Sequence, residues 1–122
     1  MSLWKKRIVH ELYLAESIIN IVQDYAKRQD FKKVNSIMLS YGRLSCIEPK
    51  ALQFAFDVQA KNTAAEGAAL DFTILPAVIH CFSCENDSEI KGHTGTCPSC
   101  GGLEVLLTAG TEELQILELD VD

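Results

Sequence analysis

The feature that most constrains the fold of this chain is a set of cysteines in two Cys-x-x-Cys pairs. The pairs flank residues 85–96 and consist of Cys81, Cys84, Cys97 and Cys100. Two residues between cysteines allow a tight turn to direct both sulfurs at one ion, and Pro98 with nearby glycines supplies turn-forming backbone. The spacing therefore predicts a tetrahedral four-thiolate zinc site that holds together a small β subdomain.

Two other interpretations of these cysteines stay open, namely a thioredoxin-like dithiol and a pair of disulfides. A single redox motif would not need a matched second copy, so the zinc site is favoured. The fifth cysteine, Cys46, is isolated in the sequence from any Cys or His partner, and we expect a small buried or half-buried thiol there, with a reactive thiol as the less favoured alternative. This use of cysteine is typical of a reducing compartment, so we expect a cytoplasmic protein.

Charge and hydropathy argue against two kinds of partner. No apolar run approaches the ~18 residues needed to span a bilayer, and a charged, amphipathic stretch follows Met1–Val9 where a secretory signal would be apolar. The net charge is −6, and acidic residues crowd the C-terminal segment: Glu112, Glu113, Glu118, Asp120 and Asp122. Because this segment repels phosphate and the basic cluster Lys5–Arg7 is short, we expect no nucleic-acid partner and no membrane partner.

Hydrophobic periodicity predicts two helices and several strands. Apolar residues between Leu12 and Tyr25 recur at helical spacing, and Pro49, at a first helical position, starts a second helix that ends before Asn62. Alternating apolar residues predict strands, at Val34–Tyr41, Ala68–Leu75, Leu103–Leu107 and Leu114–Leu119. Pro76 marks the point where the chain leaves one layer for the next.

We therefore predict an α/β (α+β) fold in which two helices pack on a small three-stranded sheet, with an inserted zinc-ribbon-like β subdomain. The larger domain comprises residues 1–75 and 108–122, and the zinc-binding subdomain comprises residues 76–107.

A second and weaker chemical signal is the pair His10 and Glu11, at the expected start of the first helix. A lone histidine there caps a helix or is solvated more often than it binds a metal, so both roles stay open. His80 adjoins Cys81, and His93 lies between the cysteine pairs. Since four thiolates complete a zinc shell, we expect these two histidines to hydrogen-bond near the site or to be solvated, with zinc ligation as the alternative.

Six short strings, in a fixed order, carry a resemblance to a known family. They are Val9-His10-Glu11-Leu12, Ala15-Glu16-Ser17-Ile18, Tyr41-Gly42-Arg43-Leu44-Ser45, the run Glu48–Phe56, Ala65-Glu66-Gly67-Ala68, and the paired cysteines. Each string is modest alone, but their order together with the zinc spacing is highly specific. From about Val9 to Val121 the chain resembles the HypA (also HybF) family of hydrogenase nickel-insertion chaperones.

The resemblance implies a small metallochaperone that binds nickel weakly at its larger domain. With the GTPase HypB, it passes the ion to the large subunit of nickel-iron hydrogenase, and in some organisms the family also serves urease maturation. Carried over residue by residue, the nickel histidine falls on His10, the supporting glutamate on Glu11, and the zinc thiolates on the four paired cysteines. Nickel(II) prefers nitrogen and oxygen donors, so an imidazole with deprotonated backbone amides suits it, whereas a four-sulfur cage suits zinc.

One departure from the family pattern lies at the start of the chain. In the family, the His-Glu pair directly follows the initiator methionine, whose amine can be a nickel ligand, but here residues 1–8 precede Val9. We expect Val9 to mark the native start, at a GTG codon read as methionine. If Met1 is the genuine start, the amine is lost, and the site relies on His10, backbone amides and Glu11.

Two competing functional classes stay open beside the metallochaperone. One is a zinc-ribbon scaffold that assembles protein complexes without carrying nickel, and the other is a redox protein that uses one Cys-x-x-Cys pair. The sequence contains no nucleophile with a partnered base, no phosphate loop and no dinucleotide fingerprint, so we predict that the chain is not an enzyme.

Overall fold

The computed structural model describes residues 3–92 and 95–122, with side chains described from Glu11 onward. The elements in chain order are α1 (Leu3–Gln29), β1 (Val34–Gly42), α2 (Pro49–Gln59), β2 (Ala69–Leu75), β3 (Ala77–Cys81), β4 (Asp87–Ile90), β5 (Val105–Ala109) and β6 (Gln115–Val121). The strands form two three-stranded sheets, of order β2-β1-β6 and β4-β3-β5. The predicted α+β fold of two helices, a three-stranded sheet and a separate small β region is confirmed.

The chain divides into two compact units. The first contains the described residues up to Leu39, together with Ile47–Phe72 and Ile116–Asp122. The second contains Ser40–Cys46 and Thr73–Gln115, and it includes all four paired cysteines. The metal-ligand candidates near the start of α1 and the cysteines therefore belong to different units.

The first unit has a core made by the apolar faces of both helices and by β1. Helix α1 buries one stripe at helical spacing, as the sequence predicted: Ala15, Ile18, Ile19 and Val22. Helix α2 contributes Leu52, Ala55 and Phe56, and β1 contributes Val34, Ile37 and Leu39. Burying these side chains against one another is the main source of stability for this unit.

Local residue chemistry sets both ends of α2. Pro49 occupies the first helical turn, where no donor is needed, and Glu48 is the N-cap. The Glu48 carboxylate accepts a hydrogen bond from the Lys50 N–H at 3.1 Å. At the other end, the Ala60 N–H donates to the Phe56 carbonyl at 2.8 Å, and the helix ends at Gln59. The predicted start at Pro49 is confirmed.

The predicted start of α1 at His10–Glu11 is wrong, because the helix begins at Leu3 and runs through both residues. Residues Leu3–Val9 contain leucine, lysine and arginine, which favour helices, and they contain no glycine or proline to stop one. Because no residue there breaks the helix, it extends from its amphipathic part toward the N-terminus. No helix in the described parts of the chain is long and apolar enough to cross a membrane.

The second unit is built around β3, which pairs antiparallel with β4 on one side and with β5 on the other. Ala77, Ile79 and Ile90 form its buried apolar cluster, against which Leu44 and Val105 pack. The short strand predicted at Leu103–Leu107 is found two residues later, at Val105–Ala109. A local turn, in which the Val105 N–H donates to the Leu103 carbonyl, occupies the expected strand start.

Candidate metal centres

The four paired cysteines come together in the second unit. Their sulfur atoms all lie within 4.8 Å of one another. The shortest separations join the two motifs, with 3.6 Å between the sulfurs of Cys81 and Cys100 and 3.8 Å between those of Cys84 and Cys97. Four thiolates at ~2.3 Å from one zinc ion lie about 3.8 Å apart in a tetrahedron, so the cluster has the size of a zinc cage.

Two tight turns hold the thiols in place, one after Cys97 and one after Cys81. The Cys97 N–H donates to the Gly102 carbonyl at 2.9 Å, and the Gly101 N–H donates to the Cys97 carbonyl at 2.8 Å. Gly101 has a φ of +75°, which glycine adopts without strain. Further N–H groups point at sulfur: Ser99 donates to Cys97 at 3.4 Å, and Gly102 donates to Cys100 at 3.3 Å.

The turn after Cys81 follows the same plan at the end of β3. The Cys81 N–H donates to the Asn86 carbonyl at 3.0 Å, and Glu85 adopts a φ of +57° to close the turn. Cys81 is fully buried, whereas Cys84 is half-buried. Backbone donors thus orient the sulfurs of both motifs toward one point.

Backbone donors and neighbouring thiols shift the pKa values of the cluster. The Cys100 N–H lowers the pKa of Cys97 to about 6, and the Cys84 N–H lowers the pKa of Cys81. The Gly102 N–H lowers the pKa of Cys100, but the neighbouring thiols outweigh it and raise that pKa to about 12. Without a metal the site thus favours the thiolates of Cys97 and Cys81 over that of Cys100, while four negative charges at this distance require a cation.

The chemistry of the donors distinguishes among the alternatives for the cysteines. All five cysteines of the chain are free thiols in this structure, and Cys46 is exposed, so its predicted burial is wrong. The closest sulfurs come from different motifs, whereas a thioredoxin-like dithiol pairs the two cysteines of one motif. Four soft thiolates in a tetrahedral arrangement fit a structural zinc site.

His80 makes contacts that suit a role outside the cage. Its Nδ1 lies 2.7 Å from the Asp87 carboxylate, which only accepts, so Nδ1 carries the proton and donates. Its ring also meets the Phe82 ring edge-on, with 5.0 Å between centroids. These contacts agree with the expected hydrogen-bonding role near the site. The prediction for His93 lies outside the described residues.

The nickel candidates lie in the first unit, on α1. The His10 side chain is outside the part of the structure whose side chains are described, and its backbone is helical. A helical N–H group bonds to the carbonyl four residues earlier, so backbone amides at His10 and Glu11 are free for a metal only if the first turns of α1 unwind. The position of His10 inside the helix was not foreseen from the sequence.

Glu11 is placed where sequence reasoning did not put it. Only 1% of its surface is exposed, and its carboxylate accepts a hydrogen bond from the Glu48 N–H at 3.4 Å. Glu48 is the N-cap of α2, where the helix dipole favours a negative charge. Glu11 therefore ties α1 to the start of α2. The Glu48-Pro49 pair signalled that helix start, but no sequence signal linked it to Glu11.

Comparison with known proteins identifies similar sequences over nearly the whole chain. A family model described as hydrogenase/urease nickel incorporation, metallochaperone, hypA, matches residues 9–121. The hydrogenase maturation factor HypA of Syntrophus aciditrophicus is 48% identical over 114 residues, which are 93% of this chain and 100% of that protein. Hydrogenase maturation factor HypA 2 of Bradyrhizobium diazoefficiens is 43% identical over 114 residues, with the same coverage.

Two solved structures have a similar fold. The solution structure of the Ni metallochaperone HypA from Helicobacter pylori matches with a TM-score of 0.58 and 21% identity, over 91% of this chain and 96% of that one. A solution structure of HypA protein matches with a TM-score of 0.65 and 22% identity, over 93% of this chain and 96% of the other. At these identities the likeness is one of fold.

Proposed function

Because this chain belongs to the HypA family of hydrogenase and urease nickel-incorporation metallochaperones, we propose that its His10 binds the nickel ion that the protein delivers. The chain is a nickel metallochaperone of hydrogenase maturation, and its four-cysteine cluster fits a structural zinc site. The observation that carries the assignment is the family match over residues 9–121.

The zinc ligands of the proposal are Cys81, Cys84, Cys97 and Cys100. A bound zinc ion supplies no reaction here, and its role is to hold together a segment whose own apolar core is small. The backbone donors around Cys97 and Cys100 orient the sulfurs toward the ion. With all four thiolates occupied, no sulfur of the cluster is free to take nickel.

The division of the chain into a nickel-binding domain, residues 1–75 and 108–122, and a zinc-binding subdomain, residues 76–107, stays a prediction. It separates the two ions by donor chemistry. The larger domain offers nitrogen and oxygen donors, which nickel(II) prefers, and the smaller one offers the sulfur cage.

His10 is the proposed nickel ligand, with backbone amides beside it and Glu11 in support. Since α1 runs through these residues, amide ligation requires the first turns of the helix to open. An exchange between a closed helix and an open, ligand-competent end would lower the apparent affinity, as delivery of a weakly held ion demands. Glu11 supports the site by anchoring α1 to the α2 N-cap at Glu48.

The proposed partners are a HypB-type GTPase and the large subunit of nickel-iron hydrogenase, with urease maturation proteins as further clients. We place the chain in the cytoplasm and assign it no catalytic activity of its own. The surface around the start of α1 is the proposed contact for the GTPase, because ion transfer requires the donor and acceptor sites to approach.

A transfer experiment tests the proposal. Zinc-loaded protein carrying one equivalent of nickel is mixed with the metal-free hydrogenase large subunit and the cognate GTPase, and nickel is then measured in each separated component. We expect nickel to reach the large subunit, and His10→Ala protein to deliver none. A zinc-ribbon scaffold would bind no stoichiometric nickel at the outset, and a redox protein would show reactive thiols in its zinc form.

A further inference from the structure

The strand β6 forms one edge of the sheet whose order is β2-β1-β6. An edge strand presents N–H and C=O groups on its outer side that the sheet itself does not pair. The end of β6 is held in place, because the Asn35 amide donates to the Asp122 carboxylate at 2.8 Å and the Asp122 N–H donates to the Lys33 carbonyl at 3.3 Å. The edge strand is therefore held in an ordered conformation in which its outer N–H and C=O groups could pair with another strand.

An apolar groove of about 610 Å³ runs between this edge strand and α1. Ile21 and Tyr25 line it from the helix, and each is 44% exposed. Leu117, Leu119 and Val121 line it from β6, and Leu117 is 54% exposed. Exposed apolar side chains concentrated beside an unpaired strand edge are typical of a protein interaction site.

The residues of β6 alternate in character. Leu117, Leu119 and Val121 alternate with Glu118 and Asp120 along the strand. Because successive side chains of a strand point to opposite faces, Leu117, Leu119 and Val121 share one face, and Ile116, Glu118 and Asp120 share the other. Ile116 and Glu118 of the second set also border the groove. A strand laid against β6 would need the same period of two, with apolar residues toward the groove and cations opposite the carboxylates.

The opposite edge of the sheet is less open. The Leu70 N–H of β2 is already taken by the Gln53 side chain of α2, at 3.0 Å. A second copy of this chain is also a poor occupant for the β6 edge. Antiparallel pairing of two β6 strands would bring the carboxylates Glu118 and Asp120 of one copy opposite those of the other, which destabilises a strand pair.

We propose that β6 is a docking edge for an extended segment of a partner protein in which aliphatic residues alternate with lysine or arginine. The segment adds as a fourth strand to the sheet, its aliphatic side chains enter the groove beside Ile21 and Tyr25, and its cations meet Glu118 and Asp120. The inference does not depend on nickel binding, since none of these residues belongs to the proposed metal sites.

A labelled peptide tests the docking edge. The probe is an end-capped heptapeptide of alternating valine and lysine, matched to the seven residues of β6, and its fluorescence anisotropy is followed during titration with zinc-loaded full-length protein. We expect saturable binding at one site, weakened about tenfold by Glu118→Lys or Asp120→Lys because each change replaces a cross-strand attraction with repulsion. Asp71→Lys, a charge reversal on the other edge strand, is the matched control and should bind as wild type.

Several outcomes would overturn the inference. Equal binding of a peptide with the same residues in blocks, valines first and lysines last, would show charge attraction without strand pairing. If Asp71→Lys weakened peptide binding as much as Glu118→Lys does, the net charge of the protein alone would explain the binding. Dimerisation of the wild-type protein that Glu118→Lys abolishes, measured by sedimentation, would make a second copy the occupant. Zinc content and circular dichroism of each variant establish that its fold is intact.

Discussion

Replacing Cys97 by serine should release the zinc ion and loosen the second unit. Cys97 is 2% exposed, receives the Ser99 N–H at 3.4 Å, and lies 3.8 Å from the Cys84 sulfur. Its pKa of about 6, lowered by the Cys100 N–H, makes it a thiolate at neutral pH before any metal arrives. Structural zinc sites bind with roughly 10–16 kcal/mol, so one of four thiolates is worth about 3 kcal/mol, or at least ~100-fold in affinity.

The assay is a competition for zinc between the protein and a chromophoric chelator, followed by elemental analysis of the purified protein. We expect Cys97→Ser protein to lose zinc to a chelator concentration that leaves the wild type fully loaded. Limited proteolysis should then cut within residues 76–107, because that segment has too little core to fold without the ion. Cys46→Ser, which removes the thiol that lies outside the cluster, is the matched control and should keep its zinc.

One result would refute the reasoning directly. If Cys97→Ser protein retains one equivalent of zinc with wild-type affinity, then Cys97 is not a ligand and the four-thiolate assignment is wrong. A loss of zinc from Cys46→Ser of the same size would instead show that the cluster does not account for the binding.

Three further predictions concern support of the fold and the metal sites. Glu11→Ala should cost about 1–3 kcal/mol in urea denaturation because it removes the acceptor of the partly buried Glu48 N–H. Glu11→Gln keeps an acceptor and should recover most of this loss, whereas equal losses in both variants would show that this hydrogen bond does not stabilise the fold. Gly110→Ala should cost about 2–4 kcal/mol, since its φ is +117° and a Cβ would come within 2.6 Å of β3, while Gly92→Ala should be neutral. Zinc binding at pH 7.5 should release at least one proton but fewer than four in a dye-buffered titration, because Cys97 is already ionised above its pKa of about 6 and Cys100 is still protonated below about 12. The number of protons released should rise as the pH falls through 6. Release of four protons at every pH would contradict the lower pKa of Cys97.

Much of the fold could be predicted because local signals agreed with the final packing. Alternating apolar residues located β1 and β2, and Pro49 with its preceding residue located the start of α2. The Cys-x-x-Cys spacing predicted that four sulfurs would meet, since the turn chemistry that aims each pair is local to its motif.

The remaining features depended on contacts between residues far apart in the sequence. Strands β3 and β4 are short and adjoin the cysteine turns, so alternation over so few residues gives no usable signal. The start of α1 was placed too late in the sequence because His10 beside Glu11 was interpreted as the N-terminus of a helix, although no glycine or proline precedes this pair in the described helix. The hydrogen bond from the Glu48 N–H to Glu11 joins α1 to the start of α2, and the periodicity of residues within one helix cannot predict such a contact.

The measurement that tests the central claim most directly is a nickel titration of zinc-loaded His10→Ala protein by calorimetry, beside the wild type. Alanine has a higher helix propensity than histidine, so α1 and the zinc content should be unchanged. The account predicts one-to-one nickel binding by the wild type and none by the variant, with lost hydrogenase maturation in cells that excess nickel partly restores. Undiminished one-to-one binding by His10→Ala protein would contradict it and would move the nickel site elsewhere, to His80 or His93.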